Sequence, residues 1–125
     1  MAHDMLVVED DAVLQQMITM ALGIDGIPFR TADDAAEALA QVRSEWPRMV
    51  LLDMNLPNGV DGWTLWDQMR QIAADRPLNV VVFSAAHNSV DRCAAAQRGA
   101  LAVLVKNQPL AELLDQLRTA YRRSA

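Results

Sequence analysis

Asp53 stands where an apolar run, Met49-Val50-Leu51-Leu52, gives way to a turn-rich segment holding Asn55, Pro57, Asn58, Gly59, Asp61 and Gly62. A carboxylate in that setting can attack an activated phosphorus and carry it as an acyl phosphate. Other polar groups stand at equivalent places. Glu9-Asp10 close Met5-Leu6-Val7-Val8, Ser84 closes Val80-Val81-Val82-Phe83, and Lys106 closes Leu101-Ala102-Val103-Leu104-Val105. Three carboxylates drawn together repel: two unit charges ~4 Å apart cost about 4 kcal/mol at an effective dielectric near 20. Either one of them keeps a proton or a cation lies between them. An all-oxygen set of carboxylates, completed by waters and a phosphate, suits Mg²⁺. Lys106 opposite the acids can pair with Asp53 or with a phosphoryl oxygen on it, and the Ser84 hydroxyl can bond such an oxygen. Catalysis would then be positioning plus electrostatics.

Each group also has a plainer reading. Glu9 and Asp10 can simply favour the positive N-terminus of a following helix. Lys106 can be a surface ammonium, and Ser84 a turn or cap residue. Their coincidence at the ends of four apolar runs turns the reading toward chemistry. Ser84 has no evident base or oxyanion loop that would make it a Ser/His/Asp nucleophile. His3 and His87 are too isolated for a zinc pair and read as solvent-exposed. Gly23-x-x-Gly26 and Gly59-x-x-Gly62 lack a phosphate-loop pattern.

The elements that must position these groups alternate. Between the strand-like runs lie helical patterns: Leu14, Met17, Ile18, Ala21 and Leu22, ended by Gly23 and Gly26; Ala35, Leu39, Val42 and Trp46, ended by Pro47; and Leu65, Met69 and Ile72. An alanine-rich segment from Ser89 to Arg98 stops at Gly99. Leu110, Leu113, Leu114, Leu117 and Tyr121 follow Pro109, which suits a first helical position. Asp34 and Glu37 have capping-box spacing. Ile27-Pro28-Phe29-Arg30 predicts a short strand, at an edge because proline cannot donate to a ladder. Five strand–helix pairs predict βαβ units, a mostly parallel open sheet and helices on both faces. In such a sheet all strands point one way, so Glu9, Asp10, Asp53, Ser84 and Lys106 converge on one edge, where open α/β sheets keep their sites.

At 125 residues one domain is expected, spanning 1–125. A net charge of −5 argues against a nucleic-acid surface, which needs a clustered basic face. The single cysteine, Cys93, excludes an internal disulfide framework and fits a reducing compartment. No apolar run approaches the roughly 18 residues of a membrane span, and no signal-peptide pattern opens the chain. A cytoplasmic protein is expected.

These residues resemble the receiver domain of two-component response regulators, from Met5 to about Arg122. Leu6-Val7-Val8-Glu9-Asp10-Asp11 is similar to the family's first strand and acidic pair. Asp53-x-x-Leu56-Pro57 with Asp61-Gly62 is similar to its phosphoacceptor loop, Ser84-Ala85 to its switch hydroxyl, and Gly99-Ala100 with Leu104-Val105-Lys106 to its fifth strand and lysine. The resemblance implies a flavodoxin-like, doubly wound, five-stranded parallel sheet in the order 2-1-3-4-5. It implies Mg²⁺-dependent transfer from the phosphohistidine of a histidine kinase or histidine phosphotransfer protein onto Asp53. Glu9, Asp10, Asp53 and the Asn55 backbone carbonyl would hold the metal, and Ser84 and Lys106 would contact the phosphoryl group. Output would pass to a partner protein or a fused domain, and a homodimer could form, through the face of the fourth helix, fifth strand and fifth helix. Such a domain catalyses its own phosphorylation and slow dephosphorylation and is not a turnover enzyme.

Three departures bear on that expectation. The Asp53 loop is one residue longer than the commonest form. Val103 holds the position of the family's switching aromatic. Asn107 replaces the proline that follows the lysine, where the family's bond is cis and a non-proline cis bond costs about 2.5–4 kcal/mol. Two other readings follow: a receiver-like binding module that works without phosphate, and an aspartate-based phosphohydrolase. The second wants an acid two residues after the nucleophile, where Asn55 stands.

Overall fold

The computed structural model describes residues 4–57, 60–84 and 89–124. His3, His87, Asn58 and Gly59, considered above, lie outside the described residues. Strands and helices alternate throughout: β1 Met5–Val8, α1 Ala12–Ile24, β2 Phe29–Ala32, α2 Ala35–Ser44, β3 Met49–Asp53, α3 Gly62–Ala73, β4 Val80–Ser84, α4 Ser89–Gln97, β5 Ala102–Val105 and α5 Leu110–Arg123. The sheet runs β2-β1-β3-β4-β5 with every neighbouring pair parallel. This is the flavodoxin-like doubly wound order.

Every residue of β1, β3 and β4 is buried, as expected of central parallel strands covered on both faces. Side chains alternate between two cores. Leu6, Val8, Val50, Leu52, Val80 and Val82 pack under α2 and α3 with Ala38, Val42, Leu65 and Met69. Met5, Val7, Met49, Leu51, Val81 and Phe83 pack under α1 and α5 with Ile18, Leu22, Leu113 and Leu117.

Three helices begin on an aspartate whose side chain accepts backbone amides of the first turn: Asp11 for α1, Asp34 for α2 and Asp61 for α3. The capping box at α2 is offset by one residue. Asp34 accepts from the Glu37 amide at 2.8 Å, but the Glu37 carboxylate accepts from the amide of Asp33, not Asp34, at 3.0 Å.

Several expectations shift. The second strand is at the edge but covers Phe29–Ala32, two residues later than its sequence pattern. Ile27 donates to the Leu22 carbonyl and so still closes α1, while Pro28 contributes only its carbonyl, to Met5. Gly23 does not end α1. The helix runs through it to Ile24, and the turn is made at Gly26 with φ +72°. Met17, expected on the buried stripe of that helix, is exposed. Pro109 caps α5 from outside, and the buried face of α5 is Leu113, Leu117 and Ala120, with Leu114 and Tyr121 at its margin. The fifth strand is assigned from Ala102, and the Leu101 amide still donates to the Val80 carbonyl of the neighbouring strand.

Candidate functional site

Strand register explains why three groups distant in sequence meet. Val8 pairs with Leu52, so Glu9 and Asp53 are the next neighbours along β1 and β3. Asp53 pairs with Phe83 on β4, and Phe83 with Leu104 on β5. Glu9, Asp53, Phe83 and Lys106 share the alternation of the α1/α5 face. Lys106, two residues past Leu104, reaches back across the Phe83 ring, its ammonium 5.2 Å from the ring centroid. It ends 2.9 Å from Glu9 Oε2, 3.1 Å from Glu9 Oε1 and 3.1 Å from Asp53 Oδ2. The aromatic floor lets the lysine stem lie flat and aims the charge at both acids.

Both acids are out of water, Glu9 at 0% and Asp53 at 1% exposure. Burial pushes the pKa of each up from the ordinary carboxylate value, and Lys106 opposes the shift without cancelling it. The Asp53–Glu9 repulsion adds to the rise at Glu9. Burial alone would weaken the lysine's charge, but its bond to Glu9 and the charge of Asp53 together raise its pKa. Each acid spends one oxygen on a backbone amide. Asp53 Oδ1 accepts from Asn55 at 2.9 Å, and Glu9 Oε1 from Asp11 at 3.1 Å. The other oxygens, Glu9 Oε2 and Asp53 Oδ2, are buried and meet the ammonium at ion-pair distance without hydrogen-bond alignment. Asp10 is exposed, and carboxylate oxygens of Glu9, Asp10 and Asp53 lie within 4.8 Å of one another. One lysine does not balance three carboxylates. Two incompletely bonded oxygens beside a third, solvent-facing acid are a donor set for a hard cation.

The acidic pair is not needed to start the following helix. Asp11 caps α1 with bonds to Val13 and Leu14 at 3.0 and 3.1 Å, and the first turn of α1 carries no acid. The structure thus separates Glu9 and Asp10 from the plainer role that their position allowed. Asn55 is exposed and lines an open depression together with Asp10, Leu56, Pro57 and Asp61. Gly62 anchors the loop's return. A Cβ there would lie 2.7 Å from Met54 Cα, and the Gly62 amide donates to the Met54 carbonyl. Only glycine permits that approach. Ser84 is buried at the end of β4, one position past Phe83, and its carbonyl accepts from the Lys106 amide at 2.8 Å. Val103 is half-buried against the α2/α3 core. No described peptide bond is cis, so the segment after Lys106 passes Asn107 in the trans form.

Two contributors lay outside the sequence reading. Phe83 counted only as a strand residue, and its role as floor follows from cross-strand register, which sequence does not display. The signal for Asp11, an aspartate two residues before Val13 at a helix start, was present but was read as part of the acidic run.

The site completes what the fold begins: a doubly wound sheet whose carboxyl edge gathers acids around one lysine. The chain belongs to the response regulator receiver domain family, whose model matches residues 5–118. Among curated relatives, the DNA-binding response regulator MtrA of Mycobacterium tuberculosis is 33% identical over 126 residues, covering 99% of this chain and 53% of that protein. The phosphate regulon transcriptional regulatory protein PhoB of Escherichia coli is 30% identical over 123 residues, covering 98% and 53%. Among solved structures, NtrX from Brucella abortus in complex with ATP superposes with a TM-score of 0.84 at 32% identity, covering 99% of this chain and 28% of that one. A putative response regulator from Chloroflexus aurantiacus superposes at 0.82 and 28% identity, covering 98% and 100%. The chain therefore spans about half the length of the curated relatives it matches. Among the described residues, no helix is long and apolar enough to cross a membrane.

Proposed function

We propose that the chain is a single phosphoacceptor receiver domain, taking a phosphoryl group onto Asp53 from the phosphohistidine of a histidine kinase or histidine phosphotransfer protein. The observation that carries this reading is the single ammonium shared by two buried carboxylates, with a third acid beside them. A carboxylate oxygen of Asp53 forms the new P–O bond while the P–N bond to the donor imidazole breaks, leaving the imidazole to take up a proton. Mg²⁺, held by Glu9, Asp10, Asp53 and the Asn55 carbonyl, would supply charge neutralisation for the transferring oxygens. The Asn55 amide orients the Asp53 carboxylate, the Phe83 ring holds the lysine stem, and Lys106 is free to move its charge from the carboxylate to the arriving phosphoryl group. Ser84 would bond a phosphoryl oxygen. Such a domain works in the cytoplasm and passes its signal to an output protein or fused domain through the α4, β5 and α5 face.

Incubation with acetyl phosphate and Mg²⁺ should add one phosphate per chain, read by intact mass or Phos-tag mobility. Asp53→Asn should abolish it. A folded wild-type protein that takes no phosphate from any donor would overturn the reading.

A second reading is motivated by Val103 and by the trans path at Asn107: a module whose partner binding ignores phosphate. Equal partner affinity for wild-type protein and Asp53→Asn, with and without phosphodonor, would favour it.

A further inference from the structure

Gln15 lies in the first turn of α1, its backbone amide bonded to the Asp11 carbonyl at 2.9 Å. Helical side chains lean toward the N-terminus, so this one reaches back past the start of its own helix. Its Nε2 donates to the Glu9 carbonyl at 2.9 Å and to Asp33 Oδ1 at 2.9 Å. Both amide hydrogens are thereby spent, and a flipped amide would turn its oxygen toward two acceptors, so the pair of bonds fixes the group's orientation. Asp33 stands on the β2–α2 connection, where its own amide donates to the Glu37 carboxylate at 3.0 Å. Neither helix needs Gln15 for its start, since Asp11 caps α1 and Asp34 caps α2.

The first of these bonds falls on a particular peptide. The Glu9 carbonyl belongs to the link between Glu9 and Asp10, two of the three acids gathered at the carboxyl edge, just past β1. Upstream, the Glu9 amide is held by the Ala32 carbonyl at 3.1 Å, and downstream the Asp11 amide donates to Glu9 Oε1 at 3.1 Å. A peptide is planar, so holding its carbonyl oxygen also sets its N–H and the direction in which the next Cα, that of Asp10, departs. Glu9 has the Lys106 ammonium to hold its carboxylate, whereas Asp10 is exposed and follows the last residue of its strand by two. We propose that Gln15 is a positioning residue for the cation site: by holding the Glu9–Asp10 peptide it keeps the Asp10 carboxylate beside Glu9 and Asp53, so that the three acids meet Mg²⁺ together. This role rests on the reading of Glu9, Asp10 and Asp53 as ligands to the cation. Gln15 acts through the backbone and not on the phosphoryl group, so its removal changes affinity for the ion and leaves the transfer step alone.

Gln15→Met keeps the length of the side chain and removes both donors at a half-buried position. Mg²⁺ titrated into the metal-free variant, followed by amide chemical shifts, should bind about tenfold more weakly than to wild type, as for other losses of a ligand's supporting bond. Gln15→Ala, too short to reach either acceptor, should match it. With acetyl phosphate as donor, the Mg²⁺ concentration giving half-maximal phosphorylation should rise by the same factor, while the rate at saturating Mg²⁺ stays within about twofold of wild type. Asp33→Ala cuts the tie between the two loops but spares the bond to the Glu9 carbonyl, so its Mg²⁺ affinity should stay within about twofold of wild type. Gln15 variants that bind Mg²⁺ as tightly as wild type overturn the proposal. So does an equal weakening by Asp33→Ala, which would make the loop tie, not the Glu9 carbonyl, the cause. So does a slower rate at saturating Mg²⁺ with unchanged affinity; if that loss appears only with a phosphohistidine protein as donor, the side chain belongs to the donor contact. A wild-type chain that binds no Mg²⁺ overturns the cation reading and this role with it, and the wild-type titration alone tells that failure from the others.

Discussion

The two ends of this sheet each bury an acid beside a base, and they do so to opposite effect. At the amino edge, before β1, Asp4 is paired with Arg30 of β2, and the guanidinium is fully used. Its Nε and Nη2 meet the two carboxylate oxygens of Asp4, Nη1 donates to the Gln41 carbonyl at 2.8 Å, and Nη2 to the Glu45 carbonyl at 2.8 Å. One acid faces one planar cation, and the surplus donors cap the end of α2. At the carboxyl edge, Lys106 faces two buried acids with a third alongside. There the cation is a compact point charge on a mobile stem, two acid oxygens lack aligned partners, and burial lifts the pKa of both Glu9 and Asp53. A balanced, forked pair holds structure in place. An unbalanced one leaves an excess of negative charge that a divalent cation can settle, and that an arriving phosphoryl group would deepen.

The sharpest way to break this comparison is to remove the cation at each edge. Lys106→Met should slow phosphorylation of folded protein in saturating Mg²⁺ by about 10²-fold or more, as expected for losing a charge aimed at a transition state. Acetyl phosphate time courses followed by intact mass measure it. Arg30→Met should leave that rate unchanged within a few-fold. It should instead lower stability by about 3 kcal/mol in urea unfolding, because Asp4 keeps a largely buried charge without its partner. A rate loss for Arg30→Met equal to that for Lys106→Met would show that the two edges are not separable.

A smaller effect tests the excess charge itself. Folding raises the pKa of Glu9 and Asp53 above their ordinary values of 4.5 and 3.8. Between those values and the raised ones, the folded chain therefore binds more protons than the unfolded chain. The metal-free protein should gain stability as pH falls from neutral toward the ordinary carboxylate range, and lose that gain as pH rises through the raised values. Asp61 moves the other way, its pKa lowered by the Thr64 amide, so its contribution is lost only on more acidic titration, below that window. Asp53→Asn deletes one of the buried charges and should stabilise the metal-free protein at neutral pH. Mg²⁺ should stabilise wild type more than Asp53→Asn. Thermal unfolding at neutral and mildly acidic pH, with chelator or Mg²⁺, reads all three. Destabilisation by Asp53→Asn without metal would contradict the excess.

The carboxyl edge was legible in the sequence because its parts are terminal to apolar runs. A buried parallel strand announces itself by four or five apolar residues in a row, most of them branched, and Glu9, Asp53, Ser84 and Lys106 each follow or close such a run. The amino edge was not legible. Asp4 precedes its strand by one residue, Arg30 sits inside a strand displaced by two from its pattern, and nothing local links them. The same limit hid Phe83 under Lys106, since both that contact and the Asp4–Arg30 pair are set by cross-strand register. The inner face of α5 was legible except at two places: Leu110 and Tyr121 do pack against its core beside Leu113 and Leu117, but Leu114 is only half-buried, and helix rotation gives the core Ala120, too small to stand out in the pattern. On α1, Met17 counted as core from its spacing, yet it is exposed.

Ser84 offers the finest test of the carboxyl edge. It lies one position beyond Phe83, in register with Val105, and its carbonyl is tied to the Lys106 amide, so backbone bonds hold the end of β4. Ser84→Ala should therefore preserve fold and Mg²⁺ binding and should still accept phosphate on Asp53. What it removes at the phosphoryl group is a hydroxyl hydrogen bond to an anionic oxygen, worth about 1.5 kcal/mol at the low end for charged acceptors and so about tenfold in rate. Phosphate incorporation by Ser84→Ala should slow by that factor, against the hundredfold expected for Lys106→Met, under identical donor and metal. A loss as large as that for the lysine would mean that positioning by the hydroxyl, not charge, dominates transfer. No change at all would place Ser84 outside the phosphoryl site and leave the whole burden on the ammonium and the cation.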